Sequence, residues 1–178
     1  MKTALTLVLV LAGIVSAQEK KTGEPQTVPF VDLKRYVGLW YEIAKIPNRF
    51  QKNCTGNTTA EYSLRDDGRL NVTNSCDEQD GKRNVATGIA RIVEPSTNSK
   101  LEVSFFSILG IRPFWGDYWI IGLDKDYQYA VIGSPDRKYG WILSRNPKLP
   151  DQKLNEAWEI LKKQGYNPKS FQMTRQDK

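Results

Sequence analysis

Histidine is absent from all 178 residues of this chain, and the gap closes off several chemistries at once. No Ser-His-Asp triad, Cys-His pair or imidazole ligand for a metal or haem can be built from its own side chains. Cysteine is almost as scarce, with two residues, so a small scaffold stapled by many disulfides is excluded. After the N-terminus, no apolar run approaches the roughly 20 residues that a membrane-crossing helix needs. Charge of one sign is lacking too. The 26 Lys and Arg against 20 Asp and Glu leave +6, scattered in pairs such as Lys20 with Lys21, Lys34 with Arg35, and Lys162 with Lys163. A nucleic-acid surface gathers its cations on one face, so no nucleic-acid partner is expected, and only a weak attraction to anionic lipid headgroups remains. Internal repeats and low-complexity tracts are missing as well.

The apolar run that is present, Ala4 to Val15 behind Lys2 and ahead of Val15, Ser16 and Ala17, has the charge, length and small-residue ending of a secretory signal. Residues 1–17 are therefore expected to be removed, the mature chain to begin near Gln18, and the protein to be exported to a periplasm or secreted. In an exported chain, Cys54 and Cys76 point to one disulfide closing a loop of about 22 residues, against the alternative of two free thiols. Asn53, Asn57 and Asn71 each begin an Asn-x-Thr triplet, an acceptor for glycosylation in a eukaryotic secretory path.

Past a flexible leader over residues 18–29, one domain is expected over 30–178. Short β-branched and aromatic runs predict strands near 40–46, 57–64, 69–76, 84–93, 100–106, 117–124, 128–133 and 139–145. Asp67-Gly68, Asp80-Gly81, Pro95 to Ser99, Asp124 to Asp126 and Pro135 to Lys138 supply the turns between them. Eight such strands, running up and down, close a barrel wide enough for one small ligand and leave no open edges. Leu154, Ala157, Trp158 and Leu161 form a helical stripe in a segment running from Asp151 to about Gln164 and ending at Gly165.

Gly38, Leu39, Trp40 and Tyr41, with Tyr139 to Arg145 about a hundred residues later, resemble the first and third signature regions of the lipocalins, in the branch of the bacterial and apolipoprotein D types. The turn Leu123 to Tyr127 matches the second signature only at its Asp. The resemblance implies an all-β fold: an eight-stranded antiparallel calyx with a C-terminal helix packed outside. It also implies a floor in which the Arg145 guanidinium lies across the Trp40 indole. Many bacterial members carry a lipidated cysteine after the signal. Gln18 stands there in this chain, so lipid anchoring is not expected.

With Arg145 turned inward to reach Trp40, alternation predicts the lining. Tyr139, Trp141 and Leu143 follow on the last strand, and Glu42, Ala44 and Ile46 on the first. Ala60, Tyr62, Val72, Ala90, Val103 and Phe105 come from the others. Small residues in the fourth strand, Gly88 among them, are expected to leave volume for a ligand. Such an apolar, aromatic lumen suits an acyl chain, so the expected cargo is a fatty acid or lysophospholipid, held reversibly. Glu42 lacks a second inward carboxylate for acid-base work, and no catalytic residue, metal site or cofactor is assigned. Ile108, Leu109, Ile111, Arg112, Phe114 and Trp115 make an apolar loop at the open end, expected either to touch a membrane transiently during lipid exchange, with Arg112 facing an anionic headgroup, or to lid the cavity. A homodimer is left open. The alternative function is an envelope-protective interaction protein that uses the barrel as a scaffold.

Overall fold

The computed structural model describes residues 23–177; the expected signal segment lies outside them. A short helix α1 (Leu33–Tyr36) is capped by the Asp32 carboxylate, which accepts from the Lys34 amide. It leads into strands β1 (Gly38–Lys45), β2 (Cys54–Leu64), β3 (Leu70–Glu78), β4 (Arg83–Ile92), β5 (Lys100–Ser104), β6 (Gly116–Leu123), β7 (Tyr129–Gly133) and β8 (Gly140–Ser144). Each pairs antiparallel with the next. Pairings of β1 with both β2 and β8 close the sheet into a barrel. Helix α2 (Asp151–Lys163) and a two-residue strand β9 (Gln172–Met173) follow.

Two apolar layers result from the period-2 alternation. Trp40, Tyr62, Leu70, Val72, Ala90, Leu101, Tyr118, Ile120, Ile132 and Leu143 pack inside the barrel. Outside, Ile43, Ile121, Val131 and Ile142 receive Ala157 and Leu161 of α2, with Leu154 and Trp158 beside them. The helix stripe read from the sequence is the one buried, so Trp158 belongs to the outer core. In β6, Tyr118 packs inside and Trp119 outside, where Lys100 Nζ sits 4.5 Å from the indole centroid.

Alternation fails once on β1. A register shift between Glu42 and Ala44 pairs Ala44 with the outward Ile142 and Lys45 with the inward Trp141. Ala44, expected in the lumen, is therefore buried in the outer core with Ile46 beside it. A bulge inserts one residue and flips every side chain beyond it.

Residues 23–29, expected to be part of a flexible leader, are tied to the barrel. The Gly23 carbonyl accepts from Arg137, the Val28 amide donates to the Ile120 carbonyl, and Thr27 Oγ1 accepts from Ser99. The C-terminal segment is tied as well. Beyond Tyr41, where the pairing of β1 with β2 ends, β9 pairs with Ala44 and Lys45. The Asn57 amide donates to the Arg175 carbonyl at 2.7 Å, so the tail bridges the upper ends of β1 and β2.

Candidate functional site: a calyx with a sealed floor

The lower end of the barrel is closed by aromatic rings. Trp40 is fully buried, and its indole nitrogen donates to the Tyr36 carbonyl at 2.8 Å. Arg145 lies with its guanidinium carbon 3.8 Å from the indole centroid. It also donates to the carbonyls of Leu39, Arg35, Tyr36 and Val37 at 2.7–3.1 Å. One side chain thus adds donors to the last two carbonyls of the short helix α1 and to those of Val37 and Leu39 beyond it. The turn after β6 falls at the same end, as up-and-down topology requires: Tyr127 Oη accepts from the Asp32 amide, and Arg35 stacks on the Tyr127 ring.

Above the indole stand Tyr36, Tyr62 and Tyr118. Tyr118 Oη lies 2.6 Å from Tyr36 Oη and accepts from Tyr62 Oη at 2.9 Å. Burial pushes the Tyr62 phenol up to about 12 and those of Tyr36 and Tyr118 well above the ordinary range. Sequence reasoning placed Tyr62 in the ligand wall but missed this hydroxyl cluster, because three residues from α1, β2 and β6 become neighbours only on closure. Val72, Ala90 and Leu143 are buried in the same packed lower lumen.

The upper lumen is more open. Ala60, Val103 and Trp141 are partly buried, Tyr139 stacks on Trp141 with ring planes 6° apart, and Phe105 is exposed at the rim. A Cβ added to Gly88 would lie 2.8 Å from the Phe105 ring. The volume that the missing side chain leaves is thus occupied by Phe105, contrary to the expectation that it would be left for a ligand. Two buried oxygens at this level, Thr58 Oγ1 and Asn74 Oδ1, have no hydrogen-bond partner among the described residues.

Glu42 is buried in a polar network: it accepts from Gln51 Nε2 and Thr174 Oγ1, and Lys45 Nζ is 3.2 Å away. Gln51 in turn accepts from the Trp141 indole nitrogen at 3.2 Å. Lys45 and Gln51 were not among the expected site residues. Lys45 becomes legible only once the bulge is known. Cys54 and Cys76 are joined, with their Cα atoms 5.6 Å apart, and clamp β2 to β3 near the mouth. Of the three Asn-x-Thr triplets, Asn57 is corrected by the structure. Its amide nitrogen donates to Asp77 at 2.6 Å and the residue is buried, which removes it as an acceptor on the folded surface.

The loop between β5 and β6 is a hairpin. Ile108 and Ile111 exchange both backbone hydrogen bonds across Leu109 (φ 49°) and Gly110 (φ 81°). Leu109 is 97% exposed and Ile111 71%, so the tip does not fold inward as a lid. Two expectations for this loop are corrected. Trp115 stacks under Arg91 with the guanidinium carbon 4.1 Å from its centroid, and Arg91 is bound to Glu102, which fixes the indole to the wall. Arg112 donates to the Ser104 carbonyl at 2.9 Å, a bond that ties it to the end of β5. Phe114 packs on Phe106, and both are exposed. Phe50, missed in the sequence, adds an exposed ring to the rim between β1 and β2.

Among the described residues no group of three or more potential metal-ligating side chains occurs, and no helix is long and apolar enough to cross a membrane.

A closed β-barrel sealed at one end and lined by apolar residues has the form of a calyx. The model of the Lipocalin-like domain matches residues 31–176. The outer membrane lipoprotein Blc of Escherichia coli is 41% identical over 141 residues, 79% of this chain and 76% of that protein. Apolipoprotein D of Rattus norvegicus is 37% identical over 175 residues, 90% and 88% of the two chains. Among solved structures, insecticyanin from the tobacco hornworm Manduca sexta superposes with a TM-score of 0.69 at 23% identity, covering 85% and 84%. The chain belongs to the lipocalin family, whose members are generally binding and carrier proteins.

Proposed function

We propose that this protein is an exported carrier that takes up one acyl-chain amphiphile, a fatty acid or a lysophospholipid, reversibly and without chemistry. The observation that carries the reading is the gradient along the barrel axis. Below, rings and hydroxyls fill the lumen. Above, Ala60, Val103, Phe105, Tyr139 and Trp141 offer an apolar wall with incomplete burial. Thr58 Oγ1 on β2 and Asn74 Oδ1 on β3 are buried without a hydrogen-bond partner among the described residues, which supports a cargo with a polar head over a hydrocarbon. Gln18, in the place where many bacterial members carry a lipidated cysteine, supports the reading of unanchored export.

The test is a fluorescence titration with oleic acid and oleoyl lysophosphatidylcholine. The parent is expected to respond and Trp141→Phe to lose the response. A parent from which organic extraction recovers no lipid, and which binds neither probe, would overturn the carrier reading.

The exposed tips at Leu109 and Phe50 support a second element of the proposal, transient contact of the mouth with a lipid bilayer during exchange. An exposed apolar cluster commonly marks an interaction surface. The same cluster favours the alternative reading as an envelope-protective interaction protein, which predicts membrane binding without lipid loading.

A further inference from the structure

Outside the lumen, a groove of about 460 Å³ opens at the rim, where the connection from β1 to β2 meets β9. Lys45, Arg49 and Lys52 line it together with Gln51, Cys54 and Gln172. No acidic side chain lines it. Several cations elsewhere are matched by acids: Arg65 and Arg69 share Asp67, Arg83 binds Asp77, Arg91 binds Glu102, and Lys153 binds Asp124. Among the described residues, neither Arg49 nor Lys52 has an acid within ion-pair distance. Lys45 has one, Glu42, but that carboxylate already accepts from Gln51 and Thr174.

We infer that this groove holds the anionic headgroup, a phosphate monoester, of an amphiphile whose chain lies in the calyx. The inference rests on the carrier reading above. Gln51 joins the two compartments: it lines the groove and accepts from the Trp141 indole on the lumen wall. A chain running past Trp141 therefore emerges beside the three cations. Lys45 carries three N–H donors and spends one direction on Glu42. Arg49 and Lys52, both exposed, close over an anion at little cost in desolvation. The adjacent disulfide and β9 fix the far wall of the groove, so only the cationic side chains need to move.

The experiment compares three probes on the full chain: oleoyl lysophosphatidic acid, monoolein with the same chain and a neutral head, and inorganic phosphate. The parent is expected to bind the phospholipid about tenfold tighter than monoolein, the scale of one charge-assisted interaction. In Arg49→Gln with Lys52→Gln, that preference should fall to about twofold or less while monoolein binding stays unchanged. Both sites are exposed, so an unaltered melting temperature controls for folding. Equal binding of the two lipids by the parent, or an undiminished preference in the variant, overturns the headgroup assignment and leaves the carrier reading standing. If neither lipid binds, both fall together. Saturable binding of inorganic phosphate by the parent that the variant loses, with no lipid preference, would make the groove a site for the free anion and overturn the assignment to a lipid head.

Discussion

The floor and the mouth of this barrel are opposite ends of the same eight strands, yet they treat their polar and apolar groups in opposite ways. At the floor, Arg145 gathers four carbonyls and covers an indole, and three tyrosine hydroxyls satisfy one another. At the mouth, Leu109, Ile111 and Phe50 face solvent and Arg49 and Lys52 face no carboxylate. The first end is complete within one chain. The second leaves apolar side chains exposed and cationic side chains without an acid partner among the described residues. Stability should therefore concentrate at the floor and recognition at the mouth, and variants at each end test whether the division holds.

The largest expected loss is in Arg145→Ala. Removing the stacked guanidinium and leaving four backbone carbonyls short of a donor should cost roughly 2–4 kcal/mol. For a domain of this size each kcal/mol moves the melting temperature by about 2–4 °C, so thermal unfolding reads the effect directly. Affinity for an oleoyl lipid should change little. A stable variant with lost affinity would reverse the roles of the two ends.

Reduction of the Cys54–Cys76 bridge comes next, at about 3 kcal/mol for a closed loop of this length in the chain-entropy model. Its effect differs in kind from that of Arg145→Ala. The bridge stands near the mouth beside the cationic groove, so weaker lipid binding should accompany the lower melting temperature. Parallel titrations of oxidised and reduced protein check this.

Tyr118→Phe sharpens the picture of the floor. It removes the hydroxyl shared by Tyr36 and Tyr62, with an expected cost of about 1–2 kcal/mol. The phenols also set a pH limit. Burial raises Tyr62 from its ordinary value near 10 to about 12. The folded state binds this proton more tightly than the unfolded state, so its stabilising effect is whole below pH 10 and is lost as pH rises through about 12. Stability in alkali should fall across that window, and Tyr62→Phe should flatten the fall. Thermal melts at closely spaced pH values measure it.

How much of this was open to reading in the sequence follows from what kind of signal each feature has. The floor pair, the outer helix stripe and the cysteine pair rest on local motifs, periodicity or residue count, and Trp40, Arg145, Leu154, Ala157, Leu161, Cys54 and Cys76 stand where those signals put them. Ala44 does not, because the bulge that follows Glu42 is a property of pairing with β8 and leaves no mark in the run of residues. The same bulge hid Lys45. The tyrosine cluster and the C-terminal tail against β1 and β2 depend on contacts between segments far apart in the chain, which alternation within one strand cannot express. The space that the sequence suggests at Gly88 belongs to Phe105, the residue just after the neighbouring strand β5.

The smallest expected effect on stability, and the sharpest test of the mouth, lies at Leu109. The turn from Ile108 to Ile111 has positive φ at both central residues, a geometry that favours Asn or Gly first and Gly second. Gly110 fits the rule and Leu109 breaks it, since a left-handed conformation costs a residue with a bulky Cβ substituent about 1–2 kcal/mol. A fold that needed only a connection would place Asn there. Leucine at an almost fully exposed tip is thus unfavourable both for the backbone and for solvation, and the proposed contact with a bilayer would offset the second cost. Leu109→Asn should keep or slightly raise the melting temperature while reducing cosedimentation with phosphatidylcholine and phosphatidylglycerol vesicles, and Leu109→Gly should behave alike. If vesicle binding is unchanged in both variants, the tip is not a membrane contact, and the unfinished character of the mouth is confined to the calyx wall and the cationic groove.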